Sequence, residues 1–266
     1  MRCPSCGLIA VPAGLARTHE GVSVYEASRP VFLADGNEGY YLDHEANHHA
    51  ARDKLAWLAR FVEPGSRILD VGSGFGHFLA LARERYRATG LELAPSAAAA
   101  ATDRFAVSCV IGSIHSIPDA LEPPYDAATG WDLIEHLDDP EGALRALREL
   151  IRPGGTLLLS TPDAGSFVAR AMGRHWHYLD PVQHVVLFRR ENLARLLAKH
   201  GFETLAWRSF GRRYRLRYVL DRLHYLNRGV LRHGVGVARL LLRPLLDRSV
   251  YLHLGDVLSV AARRGS

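Results

Sequence analysis

The sequence predicts an α/β fold, a mostly parallel sheet with helices on both faces. Three observations predict it. Between Arg67 and Thr161, short apolar runs alternate with stretches of helical period, the rhythm of repeated strand–helix units. The first of those runs enters a glycine-rich turn that opens a helix, where a parallel sheet receives ligands. The chain has 266 residues, 48% hydrophobic and 23% charged, enough for one such domain with additions. That composition excludes a disordered or fibrous protein.

The elements follow in order. Residues 1–43 lack a clean period and read as an N-terminal extension; residues 44–266 read as the main domain. His44 to Phe61 is helical, with Leu55, Leu58 and Phe61 on one face, and Pro64-Gly65 stops it. Arg67 to Val71 is a short buried strand and Phe75 to Arg85 a helix. Ala88 to Glu92 is a strand, and Pro95 to Arg104 an alanine-rich helix. Val107 to Ile111 and Tyr125 to Gly130 are strands. Glu141 to Ile151 is a helix ended by Pro153-Gly154-Gly155, and Thr156 to Thr161 a strand. A loop-rich stretch then runs to Phe188. Arg190 to His200 is a helix, Phe202 to Ser209 a strand, and Gly255 to Arg263 a closing strand. Between those last two strands, residues 212–248 read as a basic helical insertion of two helices parted near Gly229.

No run of eighteen apolar residues occurs; Val235 to Leu246 is interrupted by Arg239, Arg243 and Pro244. Three cysteines exclude a disulfide scaffold. The apolar run Gly7 to Ala16 is broken by Pro12, so no signal peptide and a reducing cytoplasm are expected. Lysine occurs only at 54 and 199. From Leu205 to Arg248 there are eleven arginines against two aspartates, so the positive excess is local to the insertion. Arginines solvated on a packed hairpin would explain this segment; so would contact with anionic lipid headgroups at the inner membrane face. Nucleic acid is not expected, because no reader module or stacking groove is evident.

The sharpest signal is Ile68-Leu69-Asp70-Val71-Gly72-Ser73-Gly74-Phe75-Gly76. Glycines allow a tight turn and close backbone approach, and the helix start offers unpaired N–H groups. A dinucleotide fingerprint would need glycine at 77, where histidine stands. Asp70 just before the loop suits a cationic ligand better than a pyrophosphate. Glu92 ends the next strand about twenty residues after the first glycine, the usual place for a carboxylate that accepts both ribose hydroxyls.

Here the sequence resembles the class I S-adenosylmethionine-dependent methyltransferases. Ile68 to Gly76 resembles that family's first motif and Leu91-Glu92-Leu93 its ribose motif. Tyr125 to Pro140 resembles its fourth-strand motif and Arg152 to Pro162 its fifth. The last two are similar to the subgroup of ubiquinone-biosynthesis O-methyltransferases. The resemblance implies a Rossmann-like seven-stranded sheet with the last strand antiparallel, and S-adenosylmethionine as cofactor. It implies Asp70 near the cofactor's amino group and Gly72, Gly74 and Gly76 beneath its methionine part. It places Glu92 on the ribose, Leu93 over the adenine, and Trp131 beside the activated methyl. After the third strand the family often has Gly-Asp; Gly112-Ser113-Ile114 stands here, so Ser113 and Ile114 are the candidate adenine contacts.

Methyl transfer to a hydroxyl needs alignment, dryness and a proton acceptor. Imidazole suits that last task, because its pKa lies near working pH. In the loop after the fifth strand, His184 is the first candidate base and His177 the second. Asp132, Glu135 and His136 could share a helical face, and resemble a segment that some ubiquinone-pathway relatives use for a metal. The turn after the fourth strand explains them equally, and no metal is assigned. Cys3-x-x-Cys6 looks like half of a zinc ribbon, a partial remnant with too few ligands. The expected function is methyl transfer to a hydroxyl of a small-molecule or lipid-linked glycan acceptor. The alternatives are a regulatory or binding protein that keeps the fold without turnover, and a dehydrogenase, against which His77 argues.

Overall fold

The computed structural model describes residues 3, 7–11, 44–180, 184–217, 219–220 and 242–266. Its centre is one seven-stranded sheet. In chain order the strands are β2 (Arg67–Val71), β3 (Arg87–Glu92), β4 (Ser108–Ile111), β5 (Tyr125–Trp131), β6 (Ile151–Pro162), β8 (Phe202–Arg208) and β11 (Val257–Arg264). They lie in the order β4-β3-β2-β5-β6-β11-β8. The pairs from β4 to β6 are parallel, and β11 runs antiparallel to both β6 and β8. The expected mostly parallel sheet with an antiparallel last strand is thus present. That strand is second from the edge.

Strand alternation builds two apolar layers. Ile68, Ala127, Leu158 and Ala261 face one way. There they meet Trp57 and Leu58 of α1 (His44–Leu58) and Phe78 and Ala82 of α2 (His77–Ala82). Leu69, Ala128, Leu157, Leu159 and Val260 face the other way. They meet Leu144 and Leu147 of α4 (Pro140–Leu150) and Leu193 and Leu197 of α6 (Arg190–Lys199). The alanine-rich helix α3 (Pro95–Phe105) buries Ala101 against Leu79 and Val107. The Asp139 side chain caps α4 by accepting from Gly142 N–H at 2.8 Å.

Two elements differ from expectation. Strand β6 begins at Ile151, because Ile151 already pairs with Tyr125 while Thr156 pairs with Ala127. The glycine pair after Pro153 therefore forms an irregularity within the strand and not a separate turn. The insertion 212–248, expected as two helices, opens as a strand, β9 (Arg212–Arg215), which pairs antiparallel with β10 (Ser249–Leu252) just after it. The alternation Arg213, Tyr214, Arg215 carries the period of a strand. Leu216, Arg217, Val219 and Leu220 are helical, and residues 218 and 221–241 lie outside the described residues. So does Cys6 of the half ribbon. Near the start of the chain, β1 (Ile9–Ala10) pairs with β7 (Val186–Leu187), which follows the short helix α5 (Phe167–Met172).

Candidate functional site

The sheet order reverses between β2 and β5, so the crevice opens at their carboxyl ends. The turn Gly72–Gly76 lies there. Gly72, Gly74 and Gly76 have φ of 70°, 55° and 75°, a region that side chains resist. Glu92, 3% exposed, fixes the loop: its carboxylate accepts Gly74 N–H at 2.8 Å and Ala94 N–H at 2.9 Å. Each oxygen has a second lone pair, which suits a diol. Gly90, two residues before it in β3, is needed too. A Cβ there would come within 2.6 Å of both Leu79 and Ser73. Sequence reasoning passed over Gly90, although glycine inside a strand signals close approach.

Asp70 is buried and accepts the Thr129 hydroxyl at 2.6 Å. Burial pushes its carboxyl up to about 7, restrained by that hydrogen bond and by Lys54. A desolvated carboxylate at the loop suits a ligand ammonium, so these residues fit the cationic cofactor. Leu93 is half-buried at the end of β3. The Ser113 hydroxyl accepts His115 N–H at 3.2 Å, while Ile114 is buried in the core with Leu91 and Leu121. Packing accounts for the Ile114 side chain.

Trp131 ends β5 against Phe78 and Phe210, with ring centroids 5.4 and 6.4 Å away. The Lys54 Nζ lies 5.3 Å above its ring. The next residue, Asp132, has a left-handed φ of 55° and donates its N–H to the Ser160 hydroxyl at 2.9 Å. Its carboxylate pairs with Arg212 at 2.7 Å and Lys54 at 3.5 Å. Burial alone would raise the Asp132 carboxyl, but Arg212 and Lys54 hold it well below the usual range. These two cations escaped sequence reasoning. One signal for Lys54 was available: it is one of two lysines in an arginine-rich chain.

Glu135 is 1% exposed, and its Oε2 has no hydrogen-bond partner among the described residues. Burial, then the charge of Asp132, pushes its carboxyl up to about 8. The His136 and His184 rings lie 4.9 Å apart, and ligand atoms of Glu135, His136 and His184 all fall within 4.8 Å of one another. Two imidazoles and a carboxylate form a donor set for a borderline divalent metal. Asp132, weighed earlier as a member, is turned to Lys54 and Arg212. His184 Nδ1 bonds the Tyr178 carbonyl at 2.7 Å, and burial, with His136 alongside, pushes the imidazole down to about 3. His177 lies elsewhere in the loop, its Nε2 3.5 Å from the buried Asp256 carboxylate. The two candidate bases therefore occupy different environments.

A family model described as "Methyltransferase domain" matches residues 43–206. A ubiquinone biosynthesis O-methyltransferase of Xanthomonas campestris pv. campestris (strain B100) is 40% identical over 109 residues, covering 39% of this chain and 46% of that protein. A malonyl-[acyl-carrier protein] O-methyltransferase of Serratia marcescens is 35% identical over 127 residues, 47% of this chain and 49% of that protein. The matched stretches thus span about half the length of these relatives. A crystal structure of a SAM-dependent methyltransferase from Thermotoga maritima superposes with a TM-score of 0.59 at 18% identity, covering 91% of this chain and 100% of that one. That likeness concerns the fold.

Proposed function

The chain belongs to the methyltransferase-domain family, and from that premise we propose that it transfers a methyl group from S-adenosylmethionine to a hydroxyl oxygen. One observation carries the reading: at the switch point of the sheet, Glu92 pins a glycine turn beside a desolvated Asp70. That arrangement serves a ligand with a ribose at one end and an ammonium at the other. The oxygen preference is supported by the imidazoles at the same edge and by the names of the two relatives, both O-methyltransferases.

The cofactor supplies a methyl carbon already activated as a sulfonium. The protein's part is to bind, align and dry the site. Glu92 would accept the ribose hydroxyls, Asp70 the ammonium, and Leu93 would cover the adenine, with the Ser113 turn at its rim. Trp131 closes the apolar side and fixes where an acceptor can approach. A histidine of the loop after β6 would take the acceptor proton. Of the two candidates we favour His177, because desolvation makes His184 a poor proton acceptor near neutral pH.

We place the acceptor among small molecules and lipid-linked glycans, with peripheral contact to an anionic membrane. The support is the distribution of exposed apolar side chains. Phe167, Leu179, Leu245, Tyr251 and Leu254 are all exposed. Phe167, Leu179 and Leu254 stand in segments joined by the Asp163–Asp256 and Trp176–Asp256 bonds at the carboxyl end of β6, and Tyr251 stands in β10. No helix among the described residues is long and apolar enough to cross a membrane. The test uses isotope-labelled S-adenosylmethionine with a lipid extract in one arm and a water-soluble metabolite pool in the other. Label entering a methyl ether in either pool is expected. Cofactor binding with no transfer to any acceptor would replace this reading by a regulatory one.

A further inference from the structure

Asp256 immediately precedes β11, and the loop after β6 wraps over it. It is 5% exposed. Its Oδ2 accepts the Trp176 indole N–H at 3.3 Å and lies 3.5 Å from His177 Nε2. Its backbone carbonyl accepts Asp163 N–H at 2.8 Å, so both chain segments hold the carboxylate in place. His177 in turn packs against Tyr178 with the rings tilted and their centroids 4.2 Å apart, and Arg212 lies 5.8 Å over that tyrosine. Arg212 pairs with Asp132 beside Trp131, so the dyad connects to the edge where the methyl is delivered.

We infer that Asp256 is a positioning residue for His177 in methyl transfer, a reading that rests on the function proposed above. A buried carboxylate facing Nε2 favours the tautomer with hydrogen there, leaving Nδ1 as the basic nitrogen. It also stabilises the imidazolium once the proton has moved. In the step, the acceptor O–H bond breaks and its proton passes to His177 Nδ1. The oxygen forms the new O–CH3 bond as the C–S bond breaks, and that electron pair returns to sulfur and neutralises the sulfonium. Trp176 uses the same carboxylate oxygen, so its indole fixes the angle at which Asp256 meets the imidazole. His184 is held differently: its Nδ1 is bound to the Tyr178 carbonyl. Among the described residues, Asp256 faces His177 from the β11 side, and Arg212 with Asp132 lies across Tyr178. Arg174 and His175 bond each other on the preceding turn.

The full chain is titrated by NMR through its histidine ring signals as wild type, Asp256→Asn and Asp256→Glu. Asparagine keeps an oxygen for Trp176 but removes the charge. The His177 titration midpoint should fall by about one pH unit in Asp256→Asn and recover in Asp256→Glu, with unchanged Tm. With labelled S-adenosylmethionine and the lipid extract, Asp256→Asn and His177→Ala should each lower kcat at least tenfold, and the double variant no further. An unmoved His177 midpoint would overturn the inference. So would full activity in His177→Ala alongside a loss in Asp256→Asn, because Asp256 would then act through Trp176 alone. A wild type inert toward every acceptor would refute the proposed function; the titration, needing no acceptor, tells the two failures apart.

Discussion

At the scale of single residues, the site is governed by carboxyl groups pulled away from water. Asp70 has its carboxyl raised from 3.8 to about 7 by burial. The folded state therefore holds this proton more tightly than the unfolded chain, and the group's contribution to stability declines as pH rises from about 4 to about 7. Cofactor binding should run the other way, because an ammonium prefers the ionised carboxylate. Affinity for S-adenosylmethionine should rise roughly tenfold per pH unit below about 7 and level off above it. Asp70→Asn should bind weakly and lose the slope. Calorimetry at several pH values checks this, and a flat wild-type profile would remove Asp70 from the ammonium site. Glu135 has a different problem, a buried oxygen with no hydrogen-bond partner among the described residues, beside two imidazoles. A divalent transition metal should satisfy it. Adding Mn2+ or Zn2+ at about a hundred times Kd should stabilise the protein by about 2.7 kcal/mol, several degrees in Tm. Glu135→Ala should abolish the shift, and an equal shift in both proteins would place the metal elsewhere.

At the scale of elements, the glycine turn does two jobs. It would shape the proposed ligand cradle, and it seats α2 against α3. Gly76 shows the second job, for a Cβ there would lie 2.7 Å from the Ala101 Cβ and 3.3 Å from its Cα. The φ of 75° adds backbone strain. Gly76→Ala should therefore cost about 2–4 kcal/mol, combining left-handed strain with overpacking. Denaturant unfolding measures it; a loss below about 0.5 kcal/mol would mean that α3 moves freely. The loop after β6 is the second defining element. Its docking through β1–β7 pairing and the Val185–Glu135 backbone bond, 2.8 Å, brings His184 to the end of β5. Its other half delivers His177 to Asp256 at the start of β11.

At the scale of the whole molecule, positive charge is concentrated in one stretch of the sequence. Eleven arginines and two aspartates lie between Leu205 and Arg248. The β9–β10 ribbon sets the ends of that segment beside exposed Tyr251 and Leu254. Anionic headgroups attract each nearby arginine by about 1 kcal/mol, and salt screens the attraction. The protein should sediment with anionic vesicles but not zwitterionic ones, less so at high salt. Replacing Arg213, Arg217 and Arg243 by Gln should release it while cofactor affinity holds. Equal sedimentation with both vesicle types, or with neither, would leave the ribbon as packing alone.

What the sequence determined by itself is the sheet and the glycine turn. Strand alternation is local, so Ile68 and Leu69, or Leu157 and Leu158, announce opposite faces without knowledge of their partners. A left-handed turn needs glycine wherever it occurs, which made Gly72, Gly74 and Gly76 legible, and Glu92 followed from its distance to them. What only the tertiary structure decided is which side chains meet at the carboxyl edge. Lys54 comes from α1, Arg212 from the ribbon and Asp256 from the turn before β11. None is near Asp132 or His177 in the chain, so no local period or spacing could pair them. The same cause separated the two histidines. In sequence His177 and His184 share one loop, but its path over β6 sends one to a buried carboxylate. It sends the other to a desolvated pocket with Glu135 and His136, where an imidazole holds protons poorly.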